Sequence, residues 1–524
     1  MANQNEEKLP KDSVSYWRED TQLPTFPALQ DDMKADVVIV GAGLTGITAA
    51  YLLAKEGKQI VLIEADDILN GTTGHTSAKI TAQHGIIYDE LLKNAGKNIA
   101  KLYYEANANA LEFMTETINA LNINCDYEKQ DAYIYATTAM AKDKIMNVAD
   151  AYKKLGIPGN TVDEIPIPIT IKKGLMMPDQ AQFHPLKYAH ALIDEITRLN
   201  GKIYEHTAAV NVEPGDSPIV LTRNNCRVQA KYVLQCTHFP FYEGYGLYST
   251  RLYAERSYIL AAKPKKPFPG GMYISADDDT RSLRSIRINN EDMILIVGAG
   301  HKTGQSKKDT MEHYRTLETF GEQTFGIESL PFRWSAQDLT SLDKIPYVGP
   351  LTPENPNILI ATGYRKWGMT NSTAAALLLQ DMILKRKNHY KQVYTPSRFH
   401  ANPSIKTFLK ENANVAAQLV KGKLDSTHQN ADDLAPEEGA ITSINGQRKG
   451  IYKNADGDVY IVDTTCTHVG CEVNWNQAEK TWDCPCHGSR FSYKGEVIEG
   501  PAEKPLKKYD YKMLDNLTSE DSGY

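Results

Sequence analysis

DVVIVGAGLTGITAAYLLAKEGKQIVLIEA, residues 36–65, decides the fold. DVVIV (36–40) is apolar and β-branched, as a strand buried on both faces of a parallel sheet must be. GAGLTG (41–46) opens ITAAYLLAKEG, whose apolar spacing and closing Gly57 predict a helix, and QIVLIEA (59–65) predicts a second buried strand. Gly41, Gly43 and Gly46 then have G-x-G-x-x-G spacing in the context that gives it meaning, with Glu64 standing 18 residues after Gly46. Gly41 permits the tight turn, Gly43 lets backbone approach a pyrophosphate at the helix N-terminus, and Gly46 lets helix and strand pack. Glu64 would accept from ribose hydroxyls. The expected fold is α/β and Rossmann-like, although the motif alone does not separate NAD from FAD.

Outward from this unit, residues 1–34 read as an irregular leader with prolines at 10, 24 and 27. The polar start lacks the basic and apolar segments of an export signal, so a cytoplasmic chain is expected. Helical stretches at 98–122 and 184–201 mix with short strands at 232–236 and 293–300, which predicts an inserted α+β substrate domain. NILIATGYRKWGMTNSTAAALLLQDMI (357–383) again reads strand, glycine turn, helix, a second half of the nucleotide-binding core. The oxidoreductase unit is thus placed at 35–396, followed by a polar linker with one possible helix at 397–433. From 434 to 515 the text is short and strand-like, with N-G and D-G turn signals, which predicts an all-β module. A net charge of -7 gives no basic surface for nucleic acid, and no apolar run is long enough to span a membrane.

Seven cysteines in 524 residues make no disulfide scaffold, but four lie between 466 and 486. Cys466 and His468, then Cys484 and His487, form C-x-H…C-x-x-H, two loops that each offer one thiolate and one imidazole as metal ligands. On ligand type alone a structural zinc would serve as well. The fuller text, CTHVGC (466–471) and CPCHGS (484–489) with Gly500-Pro501, resembles Rieske proteins, which implies a [2Fe-2S] cluster on these four ligands. The resemblance also implies a disulfide between Cys471 and Cys486. Neutral imidazole ligands place the potential of such a cluster between about -150 and +300 mV. Ser489 matches a hydroxyl that high-potential relatives aim at a bridging sulfide, whereas Phe491 stands where they have tyrosine, so an intermediate potential is expected.

The islands SYWRED, G-x-G-x-x-G with Glu64, DKIPYVGP (343–350) and ATGYRKWGMTNSTAA (361–375) resemble the glycine oxidase and D-amino-acid oxidase family, which implies FAD. In that family a helix N-terminus faces the flavin pyrimidine ring and stabilises charge on the reduced cofactor. Gly363, Trp367, Gly368, Met369 and Thr370 match that turn. By the same resemblance Val210 would contact adenine through its backbone and Thr237 would lie beside the pyrophosphate. The loop GTTGHTSAKIT (71–81), with His75 and Thr76, would run beneath the ring system. Some relatives attach FAD through a histidine in a similar loop, but His75 is read as a noncovalent neighbour. A second glycine turn, VGAGHKTG (297–304), has the wrong spacing for a nucleotide and is expected to end a strand near the substrate.

The family oxidises a C–H bond next to nitrogen by hydride transfer to flavin, so the protein must chiefly orient its substrate. Arg256 and Lys366 are the expected catalytic pair among the candidates Arg256, Tyr258, Arg284, His301, Lys302, Arg365 and Lys366, an arginine serving to clamp a carboxylate. Cys125, Cys226 and Cys236 are expected as buried small hydrophobes. Fusing a two-electron flavin to a one-electron cluster implies a dehydrogenase: small amine or amino acid, FAD, [2Fe-2S], then an unidentified external electron acceptor. The alternatives are an NAD(P)H-driven reductase feeding a partner enzyme, and a cluster acting as redox sensor or structural element.

Overall fold

A computed structural model describes residues 8–398, 401–424, 434–444 and 447–510. Met33–Val40 lies within an eight-stranded sheet, paired in parallel with Ile60–Ile63 on one side and Arg227–Gln235 on the other. Lys202–Tyr204 and Ile358–Thr362 extend the parallel array. Val37 and Ile39 enter one core cluster while Val38 and Val40 enter another, which is why the strand carries no polar alternation. Helices Leu44–Lys55 and Gly368–Ile383 pack on each other, so the two halves of the nucleotide core, more than 300 residues apart in sequence, share one layer.

The inserted domain is a nine-stranded mixed sheet. Its long strand Leu252–Pro264 runs antiparallel between Ile327–Ser341 and Glu291–Lys302. The C-terminal module is two four-stranded antiparallel sheets. Asp456-Gly457 makes the hairpin turn between Gln447–Lys453 and Val459–Asp463, with Gly457 at φ +88. The N-G signal at 445–446 lies outside the described residues, as do 1–7, 425–433 and 511–515 of the expected segments.

Two expectations change. The leader is not an irregular tail: Tyr16–Asp20 is helical, and Tyr16 and Trp17 are buried in the main core. Its aromatic area and its hydrogen-bonding indole outweigh the absence of periodicity in so short a helix. In the segment after 397 the one possible helix is present as the 24-residue Ala401–Leu424, but it docks where a linker was expected: Val415 and Leu419 pack on the C-terminal core and Asn412 donates to the Thr250 carbonyl at 3.2 Å. Among the described residues no helix is long and apolar enough to cross a membrane.

Candidate functional site

The first glycine turn is a cradle that side chains would fill. Gly41 has φ +100, and a Cβ there would meet the Cys236 carbonyl oxygen at 2.5 Å; one on Gly46 would meet the Gly41 oxygen at 2.0 Å. Gly43 caps the helix Leu44–Lys55 without a side-chain bond. Leu44 N–H donates to Thr73 Oγ1 at 3.0 Å, and the positive helix end faces the turn. Glu64 accepts from the backbone N–H groups of Ala42 at 2.7 Å and Ala65 at 2.8 Å. Burial pushes its carboxyl up while these amides pull it down. Thr237 abuts the turn, its Cα 3.1 Å from the position of a Gly41 Cβ. Val210 is the bulged residue of Ala209–Glu213, between the pairs Ala209 with Thr222 and Asn211 with Leu221, so its backbone stands outside the ladder. These features fit a dinucleotide.

The second glycine turn closes on the first. Gly363 has φ +81, Arg365 and Lys366 are also left-handed, and Trp367 caps the helix Gly368–Ile383 with no side-chain bond. Tyr364 and Thr45 bring the two turns together through hydroxyls 2.9 Å apart. Met369 and Thr370 are buried, and Thr370 Oγ1 donates to the Thr81 carbonyl at 3.1 Å. Trp367 stacks on His84, ring centroids 4.8 Å apart. His84 Nε2 lies 2.9 Å from the Thr81 carbonyl, which can only accept, so that nitrogen carries the proton and Nδ1 accepts from the Tyr103 hydroxyl at 2.8 Å. Burial, and secondarily Arg365, hold its pKa down at about 3, which keeps it neutral. Nothing in its sequence spacing marks His84, because its partners come from three distant segments.

The loop 71–76 is pinned by the leader and by the strand Ile327–Ser341. Ser15 Oγ donates to the Gly74 carbonyl at 2.5 Å, Trp17 Nε1 to Thr76 at 2.7 Å and Trp334 Nε1 to His75 at 2.9 Å. His75 Nδ1 donates to its own loop at Gly71, 2.9 Å away, and burial lowers its pKa.

The four cluster-ligand candidates converge from two loops, one between Val459–Asp463 and Asn474–Asn476 and the other between Thr481–Asp483 and Arg490–Ser492. Cys466 and Cys484 are buried and unpaired. Hydrogen bonding from Cys484, with help from Ser489 and backbone N–H groups, draws Cys466 down to about 7, and Cys484 rises in consequence. The rings of His468 and His487 lie 5.0 Å apart, and Nδ1 of each is buried without a hydrogen-bond partner. Two orphaned imidazole nitrogens beside two free thiols fit a metal centre. Cys471 and Cys486 are joined, with Cα atoms 6.5 Å apart. Gly500-Pro501 is a cis peptide, and the segment after it covers the loops: Ala502 N–H donates to Ser489 Oγ at 3.0 Å, and Thr467 Oγ1 donates to the Lys504 carbonyl at 2.6 Å.

The ligand loops sit directly on the flavin-type domain. Gly488, between His487 and Ser489, approaches so closely that a Cβ would lie 2.4 Å from Ala254 Cβ, and its carbonyl accepts from Gln337 Nε2 at 2.9 Å. Gly304 makes the matching approach from the other side, 2.8 Å from the Asp483 carbonyl by the same measure. The turn at 297–304 therefore ends a strand at the domain interface. Phe239 meets His468, ring centroids 6.4 Å apart.

Arg256 belongs to this interface, which departs from the expectation of a substrate clamp. It is fully buried, donates to Ser335 Oγ at 2.7 Å, and lies 3.7 Å from Asp483 and 3.8 Å from Glu499, both of the C-terminal module. Strand pairing points its guanidinium at the docked domain, which sequence could not disclose. Lys366 lies 4.0 Å from Glu255. Of the other candidates, Arg284 is spent on the carbonyls of Ser77, Ala78 and Phe183, Lys302 pairs with Glu411, and Tyr258 bonds His301 at 3.0 Å. Arg365 donates to the His84 carbonyl at 3.2 Å and keeps a buried Nε without a partner.

Comparison with known proteins agrees with this geometry. The FAD dependent oxidoreductase family matches residues 36–382, and the Rieske [2Fe-2S] domain matches 427–510. A Bacillus subtilis (strain 168) protein, YhfW, whose name is that of a Rieske 2Fe-2S iron-sulfur protein, is 49% identical over 97% of this chain and 100% of its own length. The gamma-glutamylputrescine oxidoreductase of Escherichia coli (strain K12) is 24% identical, covering 68% of this chain and 85% of its own. Glycine oxidase from Geobacillus kaustophilus superposes with a TM-score of 0.59 at 15% identity, over 70% of this chain and 99% of that one. The chain belongs to the FAD-dependent oxidoreductase family, with FAD as the cofactor of its larger unit and a [2Fe-2S] cluster held by its Rieske domain.

Proposed function

We propose that this oxidoreductase removes a hydride from the carbon beside nitrogen in a small amine or amino acid, and that the electrons leave singly through the Rieske cluster to an external acceptor. The observation that carries the reading is the seating of the ligand loop, at Gly488, on the Gln337 strand whose backbone also holds the flavin-side loop at Thr72. When bound, FAD supplies a hydride acceptor and the cluster a one-electron carrier.

The chain's own residues bind and orient. The open end of Leu44–Lys55 would take the cofactor's phosphates, and Gly368–Ile383 would offer its positive end to the charge that reduction creates. Neutral His84 supports Trp367 without adding charge beside it. Because Arg256 is committed to the domain interface, substrate anchoring falls to Arg365, with its unpaired Nε, and to Lys366 opposite Glu255. A guanidinium there would take a carboxylate in two-point fashion. The names of the E. coli and Geobacillus relatives, an amine and an amino acid, belong to the substrate class proposed here. We propose the cytoplasm as its compartment: Cys125, Cys226 and Cys236 are buried thiols, and the Cys471–Cys486 disulfide is itself buried, where a reductant does not readily reach it.

An anaerobic screen of amines and N-methylated amino acids, followed by diode-array spectroscopy, tests the reading. The expected result is loss of the flavin band, then bleaching of the cluster. Reduction by NADH without any amine would establish the reverse route instead, and a cluster that stays oxidised beside reduced flavin would make it a sensor or a structural element.

A further inference from the structure

We propose that Gln337 is a positioning residue between the two redox sites, fixing the ligand loop 484–489 against the loop 72–75 beside the flavin; this rests on the electron relay proposed above. Gln337 is buried in the strand Ile327–Ser341, directly paired with Arg256 on the neighbouring strand. Its side-chain amide is oriented at both ends: Nε2 donates to the Gly488 carbonyl at 2.9 Å, and Oε1 accepts from Thr303 Oγ1 at 2.7 Å. Its own carbonyl accepts from Thr72 Oγ1 at 3.1 Å. One residue thus touches both loops.

The far side of each contact leads into the sites. Gly488 N–H donates to the Cys484 carbonyl at 3.1 Å, and Cys484 N–H donates to Ser489 at 2.8 Å, so the Gly488 carbonyl is a rigid part of the turn that presents Cys484 and His487. On the other side, Thr72 opens the short helix Thr72–His75, and the next residue, Thr73, takes the first amide of the dinucleotide helix. A Cβ on Gly488 would fall 3.2 Å from the Gln337 amide, so glycine at 488 and glutamine at 337 together set how closely the loop sits. An apolar residue of similar length would fill the space but leave the Gly488 carbonyl buried without its donor. The step that this contact serves moves one electron from reduced flavin to oxidised cluster. No bond is made or broken, and the amide stays neutral.

The test uses the full chain with both cofactors and two variants, Gln337→Met and Gln337→Glu. A deazaflavin flash in the presence of EDTA reduces the flavin, and the concentration-independent bleaching of the cluster that follows is timed. The expected result is a fall of at least about tenfold in that rate, since small misplacements of reacting groups carry large penalties. Flavin content, iron content and the electron paramagnetic resonance signal of the dithionite-reduced cluster should match the parent, while amide exchange at 487–489 should quicken. Variants with intact cofactors and an unchanged transfer rate would overturn the role of Gln337. A parent protein whose cluster never bleaches after flavin reduction would overturn the relay itself, which is a separate failure. If Gln337→Met does not retain its cluster, Thr303→Val, which removes only the hydroxyl orienting the amide, is read in the same way: slowed transfer supports the role and an unchanged rate overturns it.

Discussion

Nδ1 of His468 and of His487 is buried with no partner, beside two thiols that share a hydrogen bond. Two such imidazole nitrogens beside two free thiols fit a bound metal group that would satisfy them. Replacing Cys466 or His468 with alanine is expected to abolish the cluster's paramagnetic signal and its iron while sparing bound flavin, as read by absorbance and metal analysis. These candidate ligands were legible in sequence because metal coordination constrains residue type and spacing together. Gly41, Gly43 and Gly46 were legible for a related reason: each answers a backbone requirement that no other residue meets. His84 and Gln337 were not. A lone histidine or glutamine carries no spacing, and the meaning of each comes from segments that only the fold brings near.

Among the elements, the leader and the interface strand show where sequence reading falls short. Five helical residues have no period to detect, yet Trp17 is buried and its indole holds the Thr76 carbonyl. Trp17→Ala is expected to cost about 3–5 kcal/mol by cavity formation, and to weaken flavin retention through the loop it supports. Thermal unfolding and flavin release on dilution check both. Arg256 sits on the strand Leu252–Pro264, and the face it presents is covered by the C-terminal module, far along the chain. With Arg490 beside Asp483 and Glu499, it completes a set of two cations and two anions, of which Arg256 and Asp483 are buried. Arg256→Met leaves that acidic pair short of a partner and is expected to destabilise the docked state by about 3–5 kcal/mol, seen as a lower or split unfolding transition.

For the whole molecule, buried neutral histidines set the acid limit. His84 is held at about 3 and His184 at about 4, both chiefly by burial, against an ordinary value of 6.5. Below 6.5 the unfolded chain binds protons that the folded chain refuses, so stability is full above that pH and declines as pH falls toward about 4 for His184 and about 3 for His84. Each site is expected to cost up to about 2 kcal/mol by pH 5, measurable as a lower urea midpoint than at pH 7. The β-α-β core, its distant second half and the all-β module were legible because periodicity and glycine placement record them. How the modules meet was not, since docking depends on side chains whose partners lie across a boundary. The helix Ala401–Leu424 belongs to both sides of that boundary, with Val415 and Leu419 in the Rieske core and Asn414 bonded to Gln305. Anyone excising the iron–sulfur portion where its family match begins, at residue 427, would peel away two of its own apolar struts. A cut upstream of 403 is expected to yield the more tractable fragment, and the flavin portion left behind would then display a raw, sticky scar.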